Sequence, residues 1–422
     1  MPLEDYRSDM ETCCRCSACK FIPLEKVTGY DNVNVCPSIS RFNFHAYSGG
    51  GRLGFGLALL RGRLEYTDKL LEVVFNCQVC GACDISCKYA MDMEVLEPLY
   101  EIRADCVRNG HTLPVLDKLA ASLRQQGPMV LGAKAKPGEW AEGLSVKDYT
   151  RQKTQVIYHA GCLTRNQADR WKTAQTTLSI LQKAGVDVGI AKTNEPCCGG
   201  RAYQMGYQAD ALDQARRNLE LFAKAGAQVL VTGCASCYQA FKVLYDKFGL
   251  QTGMQVLHTS QYLAGLIQEG KLKPRKKVAA KVTYHDPCYL GRLGEPFIHW
   301  QGKQREKHMR LYDPPRIFRR GTKGIYEPPR EIIRSIPGIK LVEMERIKEY
   351  AWCCGAGGGV KESNPDFARW AAAERMREAG STGAEILVTA CSRCMDNFQG
   401  ALKDHQNHLE VWDIVDLLGK TI

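Results

Sequence analysis

The sequence contains no run of about 18 apolar residues, the length a helix needs to cross a bilayer. Its opening, Met1-Pro2-Leu3-Glu4-Asp5-Tyr6, lacks the basic and apolar regions of a secretory signal. Both absences place the protein in the cytoplasm, where thiols stay reduced, and leave any membrane attachment to a partner protein. Acidic residues are in the minority: 57 Lys and Arg against 46 Asp and Glu give a net charge of +11. Basic runs interleaved with aromatics are scarce and no nucleic-acid module is recognisable. The surplus charge therefore points to an acidic protein or cofactor rather than to nucleic acid.

Cysteine, by contrast, is abundant, with 20 in 422 residues. A chain this long builds its cores without disulfides, so in a reducing compartment the cysteines read as metal ligands. Residues 1–125 carry Cys13-x-x-Cys16-x-x-Cys19, then Cys36-Pro37, then Cys77-x-x-Cys80-x-x-Cys83-x-x-x-Cys87. Three cysteines at that pitch wrap three corners of a cubic [4Fe-4S] cluster, and the distant fourth completes the other cluster in two-cluster ferredoxins. Crossed over in this way, Cys13, Cys16, Cys19 and Cys87 hold one cubane, and Cys77, Cys80, Cys83 and Cys36 hold the second. A zinc site would need only four cysteines in pairs. Lys88 after Cys87 departs from the pattern, where a proline is usual. Cys14 and Cys106 lie outside both sets and are expected to be small buried thiols. Gly49-Gly50-Gly51-Arg52-Leu53-Gly54 matches a dinucleotide fingerprint by letter. No strand precedes it and no acidic ribose-binding position follows, so it reads as a flexible turn before the amphipathic stretch Leu57–Leu71.

Gly127, Pro128, Gly132, Pro137 and Gly138 mark residues 126–153 as a linker. Beyond it strands alternate with helices, and the chain repeats itself. Ala225-Gly226-Ala227-Gln228-Val229-Leu230-Val231-Thr232-Gly233-Cys234 returns as Thr382-Gly383-Ala384-Glu385-Ile386-Leu387-Val388-Thr389-Ala390-Cys391. Each copy orders five cysteines alike: Cys162, Cys197-Cys198 and Cys234-x-x-Cys237 in the first, Cys288, Cys353-Cys354 and Cys391-x-x-Cys394 in the second. The implied architecture is α+β and multidomain. A mainly helical two-cluster ferredoxin domain (1–125) precedes two duplicated α/β domains, at 154–272 and 280–422. The second copy has a surplus at about 295–324, with eight Lys or Arg against three Asp or Glu. That surplus reads as a solvated excursion, a partner-docking arm or a clamp for an anionic substrate.

Five thiols per copy exceed the four that a cube requires. Adjacent cysteines diverge and cannot readily occupy two corners of one cube; they suit a cluster opened out so that a thiolate bridges two irons. Glycines after each pair, Gly199-Gly200 and Gly355 with Gly357-Gly358-Gly359, admit a close backbone approach. They lack the Lys-Ser/Thr ending of a phosphate cradle. His159 and His285, three residues before the first cysteine of each copy, suit either proton donation or a structural hydrogen bond at a strand end.

The duplicated Cys, Cys-Cys-Gly, Cys-x-x-Cys pattern behind a two-cluster ferredoxin segment resembles the CCG domains of the heterodisulfide reductase D family. The C and B components of the soluble enzymes, read as one fused chain, are similar. The resemblance implies two noncubane [4Fe-4S] clusters facing one cleft, one on Cys162, Cys197, Cys198, Cys234 and Cys237. The other would sit on Cys288, Cys353, Cys354, Cys391 and Cys394. It further implies reduction of a disulfide with electrons from a flavin-containing heterodisulfide reductase A-like protein or a membrane cytochrome b-type protein. The alternative it carries is an electron relay within a flavin dehydrogenase, quinone reductase or acyl-thioester reductase.

Overall fold

The computed structural model describes residues 2–422 apart from 126, 134, 194, 307–310 and 403–408. Parts of the expected linker, basic insertion and second copy therefore lie outside the described residues. The N-terminal domain is helical, with Arg7–Thr12, Gly49–Leu60, Asp68–Phe75, Ala82–Met91 and Leu96–Arg108 among its helices. No helix among the described residues is long and apolar enough to cross a membrane.

The glycine run is not a turn. Gly49–Leu60 is a helix whose N-cap, Ser48, accepts a hydrogen bond from the Gly51 amide. A Cβ on Gly56 would lie 2.7 Å from Met10 Sδ. Here glycine serves close packing, which a sequence pattern cannot distinguish from flexibility. The stretch Leu57–Leu71 is correspondingly broken, and a second helix starts at Asp68 under a Thr67 cap.

The strands Lys147–Asp148 (β1), Val156–His159 (β2), Val188–Ile190 (β3), Val229–Thr232 (β4) and Gln255–His258 (β5) form one parallel sheet, ordered β1-β3-β2-β4-β5. In the second copy follow Ala280–His285 (β6), Lys303–Glu306 (β7), Leu311–Asp313 (β8), Ile339–Val342 (β9), Ile386–Thr389 (β10) and Glu410–Asp413 (β11). Its parallel sheet runs β11-β10-β6-β9. Removing β1 makes the two orders the same, with β2, β3, β4 and β5 matching β6, β9, β10 and β11. β2 and β10 are wholly buried, as parallel strands covered on both faces must be. Residues 126–153, expected as a linker, instead supply β1 as an edge strand and bury Trp140 and Tyr149.

The basic insertion contains the antiparallel pair β7–β8 and then turns back onto the N-terminal domain. Arg316 pairs with Asp9 at 2.9 Å, Arg319 with Glu97 at 3.0 Å, and Arg320 with Asp92. These three arginines thus bind this chain's own carboxylates.

Candidate metal centres

Every sequence-predicted ligand cysteine is a free thiol. In the N-terminal domain, Cys13, Cys16, Cys19 and Cys87 line one small cavity with Gly50, Met93 and Val95. A Cβ on Gly50 would stand 3.1 Å from Cys13 Sγ, so a bare helix backbone forms one wall. Cys16 and its neighbour Cys14 are exposed. Cys14 is therefore not the buried thiol expected, because the loop turns outward through positive φ at Arg15 and Ser17; Cys106 is fully buried. The irregular Lys88 is buried between Asp84 (2.6 Å) and Glu94 (2.9 Å). Asp84 also accepts the amides of Val95 and Leu96, so the salt bridge fixes the chain behind Cys87.

Cys36 lies within electrostatic reach of Cys77 and Cys80, and Cys83 of Cys36, Cys77 and Cys80 and also of Cys19. Burial pushes the Cys36 thiol up to about 12. Cys80 of the same set is instead held down to about 6, chiefly by the neighbouring Cys353 thiol.

The strand ends of the two sheets deliver the other ten cysteines. β2 leads into Cys162 and β4 into Cys234, as β6 leads into Cys288 and β10 into Cys391. Gly161 carries φ +83°, and a Cβ there would lie 3.3 Å from Cys237 Sγ. The glycine after each cysteine pair is also required by shape. Gly199 (φ +77°) and Gly355 (φ +92°) would place a Cβ 2.8 Å from the Ala211 carbonyl oxygen and 2.3 Å from that of Ala368. Only glycine combines that backbone with that approach. Asn218 Nδ2 donates to the Cys197 carbonyl at 2.8 Å, and Asn397 Nδ2 to the Cys354 carbonyl at 2.6 Å.

The thiols then follow one another in a continuous series, each close enough to shift the ionisation of the next. It runs Cys162, Cys197, Cys198, Cys237, Cys234 within the first copy. It crosses from Cys234 to Cys391, then passes Cys394, Cys354 and Cys353 to Cys288. Cys353 also packs with Cys80 of the ferredoxin set in one buried cluster. Thiol neighbours hold Cys198 down to about 6 and Cys354 well below the ordinary range. Buried sulfurs this crowded, without disulfides, suit metal-bridged thiolates, so the donor sets fit iron–sulfur clusters.

Several functional side chains were not anticipated from sequence. Glu195 is buried and accepts from the Ala160 and Gly161 amides (3.0 and 2.9 Å) and pairs with Arg165 at 2.9 Å, clamping the Cys162 loop. Arg393, from the second copy, reaches to 3.6 Å from Cys162 Sγ of the first. Arg292 donates to the Cys80 carbonyl at 2.7 Å, and Tyr289 to that of Val79 at 3.1 Å, docking the ferredoxin loop onto the second copy. The one signal in the sequence was that Arg393 breaks the repeat, since Ser236 stands at the matching position. Both flagged histidines are buried. His285 Nδ1 accepts from Arg375 Nε at 3.2 Å, and the ligand atoms of His285, Cys354 and Cys394 lie within 4.8 Å of one another. His159 lies 3.5 Å from Glu195.

A family model for the cysteine-rich CCG domain matches residues 156–242 and 316–399, and one for a 4Fe-4S dicluster domain matches 9–91. Among curated proteins, the chain is 28% identical to the D component of the dihydromethanophenazine:CoB–CoM heterodisulfide reductase of Methanosarcina acetivorans. That match covers 98% of this chain and 94% of the relative. It is 27% identical to the EtfAB:quinone oxidoreductase of Syntrophomonas wolfei over 83% of this chain and 47% of that one. It is 25% identical to a probable iron-sulfur-binding oxidoreductase, FadF, of Bacillus subtilis over 87% of this chain and 50% of that one. Among solved structures, a hypothetical protein from Helicobacter pylori shares the fold with a TM-score of 0.50 at 10% identity, covering 89% of this chain and 67% of that one.

Proposed function

We propose, from the premise that this chain is a heterodisulfide reductase D-like CCG-domain iron–sulfur protein, that it is the disulfide-reducing component of a cytoplasmic redox complex. Cys13, Cys16, Cys19 and Cys87 would hold one cubane [4Fe-4S] cluster, and Cys36, Cys77, Cys80 and Cys83 the other. Cys162, Cys197, Cys198, Cys234 and Cys237 would hold one noncubane cluster, and Cys288, Cys353, Cys354, Cys391 and Cys394 its counterpart. When bound, the noncubane pair supplies one electron each to a substrate S–S bond.

The observation that carries this reading is the join between the copies, where the buried Cys234 and Cys391 thiols are close enough to shift each other's ionisation. Splitting a disulfide needs two electrons at one place, and two five-cysteine sites set back to back supply a shared place. The packing of Cys80 against Cys353 gives the copies an entry from the ferredoxin set. Arg393 lies beside Cys162 and Cys234 and would offset the negative charge that gathers as sulfur is reduced. The outward face of the Cys13–Cys19 loop, with Phe21 and Phe44 exposed nearby in the sequence, suits docking of a flavin-containing heterodisulfide reductase A-like protein or a cytochrome b-type protein.

A relay reading without disulfide chemistry is favoured by one fact: all five cysteines of the first copy are buried. The likeness to a quinone oxidoreductase agrees with it. The experiment that separates the two is anaerobic purification of the native complex. It should show about 16 irons per chain, four for each of four clusters, with paramagnetic spectra recorded before and after adding thiols. A new signal on thiol addition supports disulfide chemistry; no new signal, beside a co-purifying flavin dehydrogenase, supports the relay.

A further inference from the structure

The cavity lined by Cys13, Cys16, Cys19 and Cys87 has one more polar wall, His45. The site where a Cβ on Gly50 would stand lies 3.1 Å from Cys13 Sγ, 3.9 Å from Cys19 Sγ and 3.9 Å from His45 Nε2. The imidazole and two of the four cysteines thus meet over the same bare turn of helix. His45 Nε2 is buried and has no hydrogen-bond partner among the described residues. Leu53, Met91, Met93 and Val95, which also line the cavity, offer no donor and at most a weak thioether acceptor. A buried ring nitrogen left without a partner calls for a reason. A sulfur that carries negative charge would satisfy it, as an uncharged thiol does only weakly.

The backbone holds the histidine in that place. Its carbonyl accepts the Ser48 amide at 2.9 Å and the Ser48 hydroxyl at 2.7 Å. The same hydroxyl accepts the Gly51 amide at 3.0 Å, so His45 is tied to the cap of the helix Gly49–Leu60. A side chain on Gly51 would run into the His45 carbonyl oxygen. Gly50 and Gly51 therefore bring the cysteines and the imidazole onto one helix turn from two sides.

We propose that His45 sets the reduction potential of the first ferredoxin site, its Nε2–H donating a hydrogen bond to sulfur of the cluster that Cys13, Cys16, Cys19 and Cys87 would hold. The inference rests on the reading of those four cysteines as cluster ligands and adds a residue that the cysteine pattern does not contain. Reduction adds negative charge to iron and sulfur, so a donor already in place stabilises the reduced state more than the oxidised one and raises the potential. The electron comes from an external one-electron donor. The proton stays on His45, and no bond of the chain forms or breaks. Cys16 is exposed, so this is the site that such a donor meets, and a raised potential there favours entry of the electron.

The test uses holoprotein of wild type, Cys16→Ala, His45→Phe and His45→Gln, with iron measured in each. Cys16→Ala should lose iron and one reduced-state paramagnetic signal, which identifies the site. In potentiometric titrations of His45→Phe that signal should be about tenfold harder to reduce at a given potential, a midpoint about 59 mV lower for one electron. His45→Gln, whose amide N–H can donate from a similar position, should regain most of the shift. With histidine labelled by nitrogen-15, pulsed spectra of the wild type should show a weak nitrogen coupling on the same signal. A loaded His45→Phe protein with the wild-type midpoint, or a wild type without the coupling, overturns the proposal and leaves the ligand reading standing. A Cys16→Ala protein with full iron and every signal intact overturns the ligand reading and the proposal with it.

Discussion

Cys80 of the second ferredoxin loop and Cys353 of the second CCG domain pack in one buried cluster, where each thiol shifts the ionisation of the other. Arg292 fixes that meeting. Its Nε donates to the Cys80 carbonyl (2.7 Å), and its Nη1 donates to the carbonyls of Glu349 (2.7 Å) and Ala351 (2.8 Å). One buried guanidinium thus ties together the loops that carry both cysteines.

Replacing Arg292 by Met should leave those carbonyls without a donor, at about 1–3 kcal/mol for each one that water does not reach. The more telling effect is on electron flow. The N-terminal centres should still reduce at the wild-type rate, while reduction of the CCG centres slows. Freeze-quench paramagnetic spectroscopy of the holoprotein follows both sets. Equal rates in the variant would show that the contact is not on the path.

Two glycine substitutions should act in opposite directions. Gly54 lies inside the helix Gly49–Leu60 with open space around its Cβ position, so Gly54→Ala should stabilise the protein by about 0.5–1 kcal/mol. Gly355 has φ +92° and the Ala368 carbonyl in the way. Gly355→Ala should cost the second copy its metal, so that iron content falls by about four per chain while the first copy stays loaded. Thermal melts and iron analysis of the two variants read both effects.

Much of this was legible because cysteine spacing is a local property. The Cys-x-x-Cys turns, the paired cysteines and the crossed ferredoxin sets are fixed within a few residues of each other or by a known exchange. β2, β4, β6 and β10 were legible for the same reason, as short apolar runs that end at a cysteine. What could not be read was whatever depends on one segment meeting another far along the chain. The glycines of Gly49–Leu60 look flexible until Met10 and Cys13 are seen against them. The basic insertion looks solvated until Asp9 and Glu97 are seen to receive its arginines. Glu195 carries no local mark of function and Arg393 only its break of the repeat, because their partners come from the loop after β2 and from the opposite copy.

Arg330 is buried between Asp286 (2.7 and 2.9 Å) and Glu343 (2.8 and 2.9 Å), and Asp286 stands two residues before Cys288. Removing the cation alone leaves a buried carboxylate without its partner, so Arg330→Met should cost about 3–5 kcal/mol. Asp286→Asn with Arg330→Met removes that lone charge and should recover part of the loss. A double-mutant cycle on thermal stability measures the coupling. A double variant no more stable than Arg330→Met would mean the arginine acts through packing.

The pH dependence of stability should carry the mark of Asp413. Its carboxyl is raised from 3.8 to about 8, so the native state holds the proton more tightly than the unfolded chain does. The sign follows from linkage. Between those values the native state binds more protons, so this group's favourable contribution is complete below about pH 4, declines as pH rises, and is gone above about pH 8. Asp413→Asn cannot titrate, yet its amide oxygen can still accept the Val415 amide and keep the cap on the helix Ile414–Gly419. The difference in melting temperature, variant minus wild type, should therefore grow steadily more positive as pH rises and level off once Asp413 is ionised in both states. Anaerobic melts of the holoproteins across that interval give the curve. A flat difference would mean that Asp413 is already charged in the native state, held so by Arg170 against its burial.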